Sequence, residues 1–177
     1  TMRQGAHRAK TFLELLITAA VLVFADQWTK LLAVKHLKDQ TDVELIPNVL
    51  YLHYLENRGA AFGIFQEQKI FLLLLTFVIL AAVCYVLWRL PADKKFFAIK
   101  LLCFFLAAGG IGNCIDRIRL DYVVDFIYFS LIDFPVFNVA DIYVTISVFL
   151  MLVLTLFYYK EEDFSFLKPK GSRQEQQ

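Results

Sequence analysis

Two aspartates, Asp125 and Asp141, lie in apolar stretches near the ends of hydrophobic segments. A carboxylate left unpaired in lipid-like surroundings is costly, so such residues usually belong to a site that uses them. Burial raises the pKa of a carboxylic acid, and a second carboxylate at hydrogen-bonding distance raises the pKa of one partner further. Such a pair can share one proton at neutral pH. One member then activates a water while the other donates to the scissile carbonyl, which predicts aspartic protease chemistry.

The same two acids have other interpretations. Aspartates at the outer ends of membrane segments can form an ion path, so a small proton- or cation-coupled membrane carrier is an alternative function. A noncatalytic assembly factor is a third hypothesis. The sequence alone does not show that the two carboxylates meet.

Further polar residues are placed to support such a pair. Asp26 and Lys30 are spaced i, i+4, so they share a helix face, and we predict a structural ion pair. Asn57 precedes a glycine turn, and its amide can steady a carboxylate, grip a peptide backbone or cap its own turn.

Asn113 and Asp116 are three residues apart and therefore face the same way on a continuing helix. Arg117 and Arg119 follow closely, and a nearby cation favours the ionised carboxylate. We therefore predict that Asp116 is an anchor, held by these arginines, and not a proton carrier.

The elements that must position these residues are membrane helices. The chain has 177 residues, of which 59% are hydrophobic and 18 are Phe, which is unlike an ordinary soluble domain. Four apolar windows approach the ~20 residues that span a bilayer. We predict spans at about 12–32, 70–88, 96–115 and 140–159, followed by a charged tail at 160–177. Residues 1–177 are expected to form a single integral membrane domain.

The charges around the windows predict the orientation. Basic residues dominate the leading segment and the loop between the second and third windows, which places both in the cytoplasm. The stretches 35–69 and 116–138 carry more acids than bases and are placed outside. Both termini are then cytoplasmic, with a frayed tail. The net charge of +1 gives no support to nucleic-acid binding.

Two outer segments, 49–55 and 123–129, are rich in aromatic and branched residues and predict short strands that pair into a small extracytoplasmic sheet. The third window ends in small residues that permit a neighbouring helix to approach closely, namely Ala107, Ala108, Gly109, Gly110 and Gly112.

These residues together closely resemble the prolipoprotein signal peptidases, the type II signal peptidases of bacteria. Five segments carry the resemblance in family order, at residues 26–30, 57–62, 109–117, 123–126 and 137–141. The resemblance implies an all-α membrane fold with minor β structure, in which four transmembrane helices carry a small outer sheet and an interfacial helix. It also implies an aspartic endopeptidase that cleaves a prolipoprotein just before its diacylglyceryl-modified cysteine.

By position in these segments, the resemblance puts the catalytic pair on Asp125 and Asp141. It implies lipid-modified prolipoprotein substrates, contact with membrane lipids, sensitivity to cyclic lipopeptide inhibitors such as globomycin, and no metal or organic cofactor. We expect a monomer in the bacterial cytoplasmic (inner) membrane, with its active site near the extracytoplasmic face. The resemblance assigns substrate-binding or supporting roles to Asn57, Gly59, Asn113, Asp116, Arg117, Asn138, Ala140, Asp26 and Lys30.

Overall fold

The computed structural model describes residues 2–59 and 68–167. Four long helices form the body of the protein, and three short strands form one antiparallel sheet in the order β1-β2-β3. The predicted class, mostly helical with a small sheet, is confirmed. The helices are α1 (Met2–Leu37), α2 (Lys69–Arg89), α3 (Phe97–Leu120) and α4 (Val139–Phe157), and the strands are β1 (Val43–Ile46), β2 (Leu50–Asn57) and β3 (Val123–Phe129).

Three described helices are long and apolar enough to cross a membrane: α2, α3 with the short 3₁₀ turn before it, and α4. They coincide with the predicted windows 70–88, 96–115 and 140–159. Helix α1 has 36 residues and contains the fourth predicted window, 12–32. At 1.5 Å per residue it is about 54 Å long, which exceeds the ~30 Å hydrocarbon core. Its role as a fourth span stays a prediction.

Helix α3 contacts each of the other three long helices. A Cβ on Gly109 would lie 2.6 Å from the carbonyl oxygen of Ala140, and one on Gly112 would lie 2.6 Å from Oδ2 of Asp26. Only glycine fits at such contacts, so the predicted close approach of neighbouring helices is confirmed at these two positions.

The strands β2 and β3 confirm the two predicted strands and their pairing, with Leu50 opposite Phe129 and Asn57 opposite Val123. Strand β1 was not predicted, because its four residues are exposed and too few to give a pattern. The buried part of β3 packs against the end of α1, where Ala33 and Leu37 meet Val124 and Phe126. The sheet therefore lies beside the end of α1 and presents the middle of β3 to the helices.

The other end of the bundle is closed by aromatic side chains. Tyr159 stacks on Phe96 with ring centroids 5.8 Å apart, and Phe166 meets the same ring edge-on at 5.4 Å. Phe166 belongs to a 3₁₀ segment, Glu161–Leu167, and is buried. The prediction of a frayed tail from residue 160 is therefore wrong for this segment, because its aromatic residues pack into the core.

Some predicted features lie outside the described residues. These are the end of the tail, 168–177, and the last three residues of the resembling segment 57–62. The interfacial helix that the resemblance implies stays a prediction.

Candidate active site

Asp125 is the third residue of β3, and its side chain is 1% exposed. Asn57 donates from Nδ2 to Asp125 Oδ2 at 2.8 Å, and Asn138 donates from Nδ2 to Asp125 Oδ1 at 2.6 Å. Asn57 reaches this carboxylate because it ends the neighbouring strand β2. Each oxygen of Asp125 is therefore oriented by a side-chain amide.

Asp141 lies in the first turn of α4. Asn138 is the N-cap residue of that helix, and its Oδ1 accepts a hydrogen bond from the backbone N–H of Asp141 at 3.0 Å. In return, Asp141 Oδ2 accepts from the backbone N–H of Asn138 at 3.1 Å, which completes a capping box. Asn113 donates from Nδ2 to the other oxygen, Oδ1, at 2.7 Å. The helix start itself thus fixes this second carboxylate.

Asn138 joins the two aspartates, because its side chain binds Asp125 while its backbone N–H binds Asp141. It is fully buried, and its Nδ2 also donates to Oδ1 of Asn113 at 3.1 Å. The amide cannot flip without losing the cap on α4, since Oδ1 must accept from Asp141. The structure therefore brings Asp125 and Asp141 into contact with the same residue.

A buried cluster of charged side chains lies next to the residues that bind Asp125 and Asp141. Lys30 Nζ lies 3.0 Å from Asp26 Oδ2 and 3.0 Å from Asp116 Oδ2, which confirms the predicted pair with Asp26. It also donates to Oδ1 of Asn113 at 2.9 Å. Because the lysine holds that oxygen, the NH₂ group of Asn113 is turned towards Asp141. Lys30 thus acts on the site through Asn113.

The cation bound to Asp116 is Lys30, so the prediction that Arg117 and Arg119 hold this carboxylate is wrong. Successive residues of an α-helix point about 100° apart, so Arg117 is directed elsewhere. Arg119 is exposed, whereas Asp116 is buried. Asp116 also accepts from the backbone N–H of Val124 at 3.1 Å and thereby ties β3 to α3. Its predicted role as an anchor holds, with different partners.

Arg117 instead binds the turn after β2. Its Nη2 donates to the carbonyl oxygen of Gly59 at 3.2 Å, and its Nη1 donates to that of Asn113 at 3.4 Å. Within the turn, Asn57 Oδ1 accepts from the backbone N–H of Gly59 at 2.9 Å. Two of the roles considered for Asn57, capping its own turn and steadying a carboxylate, are therefore both present.

Gln27 is a supporting residue that the sequence prediction did not single out. Its Nε2 donates to Asp116 Oδ1 at 2.8 Å and lies 3.2 Å from both Asp26 Oδ2 and the Gly112 carbonyl oxygen. The sequence did hold a signal for this role, because the amide of Gln27 directly follows Asp26. The remaining predicted residue, Ala140, is fully buried and donates its backbone N–H to Asp26 Oδ1 at 2.9 Å.

Both aspartates line a cavity of about 850 Å³, a volume within the range of ligand pockets. The lining combines polar side chains with apolar ones, and the apolar ones include Leu55, Val136, Ile142 and Ile146. Within residues 2–59 and 68–167, no group of three or more His, Cys, Asp or Glu side chains could hold a metal ion.

The electrostatics of Asp125 suit proton transfer. Burial, and then the charge of Asp141, raise the pKa of Asp125 to about 7, while the hydrogen bonds from Asn57 and Asn138 oppose the rise. A carboxyl with this pKa exchanges its proton near neutral pH, which is what a general acid requires.

The close contact at Gly112 predicts a specific sensitivity. Gly112→Ala is expected to reduce the free energy of unfolding by about 1–3 kcal/mol, because the new methyl group displaces the carboxylate of Asp26. Gly110→Ala is the matched control, since its Cβ would lie 3.4 Å from Thr76 Cγ2. Thermal unfolding of the purified variants in detergent measures both. Equal losses at the two positions would contradict this packing argument.

Comparison with known proteins identifies the family. A sequence model described as Signal peptidase (SPase) II matches residues 18–157. A protein of Streptococcus thermophilus named lipoprotein signal peptidase is 40% identical over 147 residues, covering 83% of this chain and 93% of its own. One of Streptococcus pyogenes serotype M1 with the same name is 38% identical over 148 residues, with 84% and 94% coverage.

Solved structures agree with this match. Two structures titled as bacterial membrane enzymes, solved by the in meso method at 2.3 and 1.9 Å, superpose with TM-scores of 0.72 and 0.70. They are 33% and 32% identical in sequence, and cover 89% and 82% of this chain and 93% and 94% of their own. With its apolar helices, the protein is a multi-pass membrane protein. The chain belongs to the signal peptidase II family, and it is a peptidase.

Proposed function

We propose that this peptidase removes the signal peptide of a prolipoprotein by aspartic catalysis, cleaving just before the diacylglyceryl-modified cysteine. The observation that carries the proposal is the pair of carboxylates, Asp125 and Asp141, which both accept hydrogen bonds from Asn138 and line one cavity. The family match favours this function over the carrier hypothesis.

The two aspartates have different roles in the proposed reaction. Asp141 lies at the start of α4, where the helix dipole stabilises negative charge, so it takes a proton from the attacking water. Asp125, with a pKa of about 7, donates its proton to the carbonyl oxygen as the C–O bond forms. When the tetrahedral intermediate breaks down, the leaving nitrogen takes the proton from Asp141. The proton of a hydroxyl group returns to Asp125, so the pair is restored.

The substrate-binding groups are arranged around this pair. Asn57, Asn113 and Arg117 line the cavity beside the two aspartates, where they can orient an extended peptide. The apolar part of the lining includes Ile142 and Ile146 of α4, and Ile146 is 49% exposed. The acyl chains of the modified cysteine can therefore stay in the bilayer while the scissile bond enters the cavity.

The proposal includes a membrane arrangement. The chain forms one integral domain with four spans, α1 supplying the fourth, and both termini lie in the cytoplasm. It lies in the inner membrane, and the sheet and cavity face the extracytoplasmic side because Lys and Arg are concentrated in the leading segment and around the loop between α2 and α3. The protein acts as a monomer, in contact with membrane lipids. Cyclic lipopeptides such as globomycin occupy the same cavity as the substrate.

The test is cleavage of a diacylglyceryl-modified precursor by the purified full-length protein in detergent. The expected result is release of the signal peptide, with the modified cysteine as the new N-terminus by mass spectrometry. The same precursor without the lipid is the control and should remain uncleaved. Ion flux in proteoliposomes without precursor cleavage would support the carrier hypothesis and contradict this proposal.

The pKa of Asp125 predicts the alkaline side of the pH profile. Because the raised pKa of about 7 keeps this carboxyl protonated below that pH, kcat/KM should fall about tenfold per pH unit above it. Asn57→Ala removes a hydrogen bond that lowers this pKa, so its alkaline midpoint should move to higher pH. Lys35→Gln, at the exposed end of α1, should keep the wild-type midpoint. If the alkaline midpoint of Asn57→Ala moved to lower pH, the fall in kcat/KM could not be assigned to Asp125.

A further inference from the structure

A second cavity, of about 550 Å³, lies at the opposite end of the bundle. It is formed between the beginning of α1, the loop that joins α2 to α3, and the first turn of α3. Lys100 lines this cavity and Asn113 lines the active-site cavity, and Asn113 is 13 positions further along α3, which is about 20 Å. The second cavity is therefore distinct from the active site.

Three lysines and two carboxylates line the second cavity, and both carboxylates are already engaged. Glu14 accepts a hydrogen bond from Lys100 Nζ at 2.8 Å, and Asp93 Oδ1 accepts from the backbone N–H of Lys95 at 2.8 Å. Lys10 lies only at the edge of ion-pair distance from Glu14, at 3.9 Å, and its side chain is 76% exposed. Positive charge is therefore left over at the mouth of the cavity.

Two further side chains add to this picture. Lys94 is exposed and makes no side-chain ion pair with the residues that the structure describes. His7 also lines the cavity, and its Nε2 is shielded from solvent without a hydrogen-bond partner in the described part of the chain. A shielded ring nitrogen without a partner is costly unless a ligand binds it. Lys10 and Lys94 thus offer exposed ammonium groups to an anion, and His7 offers a ring nitrogen without a partner in the described part of the chain.

The position of the cavity identifies the source of the anion. The loop from Leu90 to Asp93 joins two helices that can each cross the membrane, so it lies at the membrane boundary. Phe97 lines the cavity and is 60% exposed, which offers an apolar surface next to the lysines. A phosphate beside an apolar surface at a bilayer boundary is the chemistry of a lipid headgroup.

We propose that this cavity is a binding site for the headgroup phosphate of an anionic membrane lipid. Lys10 and Lys94 bind the phosphate oxygens, His7 contributes its shielded ring nitrogen, and the acyl chains run along the exposed apolar surface that includes Phe97. The site depends on none of the residues that bind Asp125 or Asp141, so its test is separate from that of the peptidase mechanism.

Native mass spectrometry of the full-length protein, titrated with phosphatidylglycerol after detergent purification, tests the proposal. Lys10→Gln/Lys94→Gln is expected to weaken phosphatidylglycerol binding about 25-fold, since each lysine near a membrane surface contributes about fivefold. The matched control is Lys35→Gln/Lys38→Gln, which removes the same charge at the other end of α1. That control should bind the lipid as the wild type does.

Three results would overturn the proposal. An equal loss of phosphatidylglycerol affinity in the two double variants would show that the lipid is attracted by net charge alone and not bound at a specific site. Equal binding of phosphatidylcholine would show that the anionic headgroup is not recognised. Displacement of the bound lipid by millimolar inorganic phosphate would show a site for the free anion only. Thermal unfolding of each variant checks that the fold is intact. It is expected to stay close to the wild type because the ion pairs lost, Lys10 with Glu14 and Lys38 with Glu56, are partly exposed to solvent.

Discussion

Asp141→Asn is expected to lower the rate of prolipoprotein cleavage about a thousandfold or more, and Asp125→Asn should do the same. An amide at position 141 cannot take a proton from water, and one at position 125 cannot supply an acidic proton to the carbonyl oxygen. The effects should not add in the double variant, because the two carboxylates act as a unit. Single-turnover cleavage of a lipidated precursor measures all three variants.

Asp125→Asn and Asp141→Asn each preserve the side-chain volume. Each also places an NH₂ group opposite a group that already donates a hydrogen bond to that position. At position 141 the donors are Asn113 Nδ2 and the backbone N–H of Asn138, and neither can be reversed. We therefore expect each variant to lose about 1–3 kcal/mol of stability while remaining folded. Asp121→Asn is the matched control, since it makes the same change at an exposed site and should cleave normally. A folded variant lacking either carboxylate that cleaves at the wild-type rate would disprove aspartic catalysis.

Lys30→Met is expected to destabilise the protein by about 3–5 kcal/mol, the effect of removing one partner from a buried ion cluster. The lysine is 3% exposed and is the cation within 3.0 Å of both Asp26 and Asp116. Without it, two carboxylates remain buried near each other. The amide of Asn113 also loses the group that holds its orientation, so activity should fall together with stability. Thermal unfolding and cleavage rate measure the two effects.

Lys30→Met/Asp116→Asn provides the diagnostic comparison. Removing one of the two unpaired carboxylates should restore part of the lost stability. Lys100→Met, whose lysine binds the half-buried Glu14, should lose only about 1 kcal/mol or less. A loss at Lys30 no larger than that at Lys100 would show that the cluster does not hold the fold together.

The sequence predicted those site residues whose chemical type is unusual for the sequence around them. Asp125 and Asp141 stood out because a carboxylate in apolar sequence is costly, and the structure joins them through Asn138. Three of the predicted spans and the two longer strands followed equally directly from runs of apolar residues and from branched and aromatic segments.

What could not be predicted depends on contacts between distant segments. Asp116 was assigned to its neighbouring arginines, whereas its cation comes from α1, 86 positions earlier in the chain. Sequence proximity could not show this, because the direction of a side chain depends on helical phase and on which helices touch. The short strand β1 and the packed segment Glu161–Leu167 were missed for a related reason. Each is stabilised by a partner elsewhere more than by its own pattern.

The hydrogen bonds to the two aspartates also bear on how the protein is made. Asp125 needs Asn57 from β2 and Asn138 from the start of α4, while Asn113 on α3 is oriented by Lys30 on α1. These groups come from early, middle and late parts of the chain. A nascent protein that lacks its last helix therefore has neither Asp141 nor a complete set of donors for Asp125. In the proposed mechanism, the catalytic pair is therefore complete only when biosynthesis and membrane insertion have reached α4.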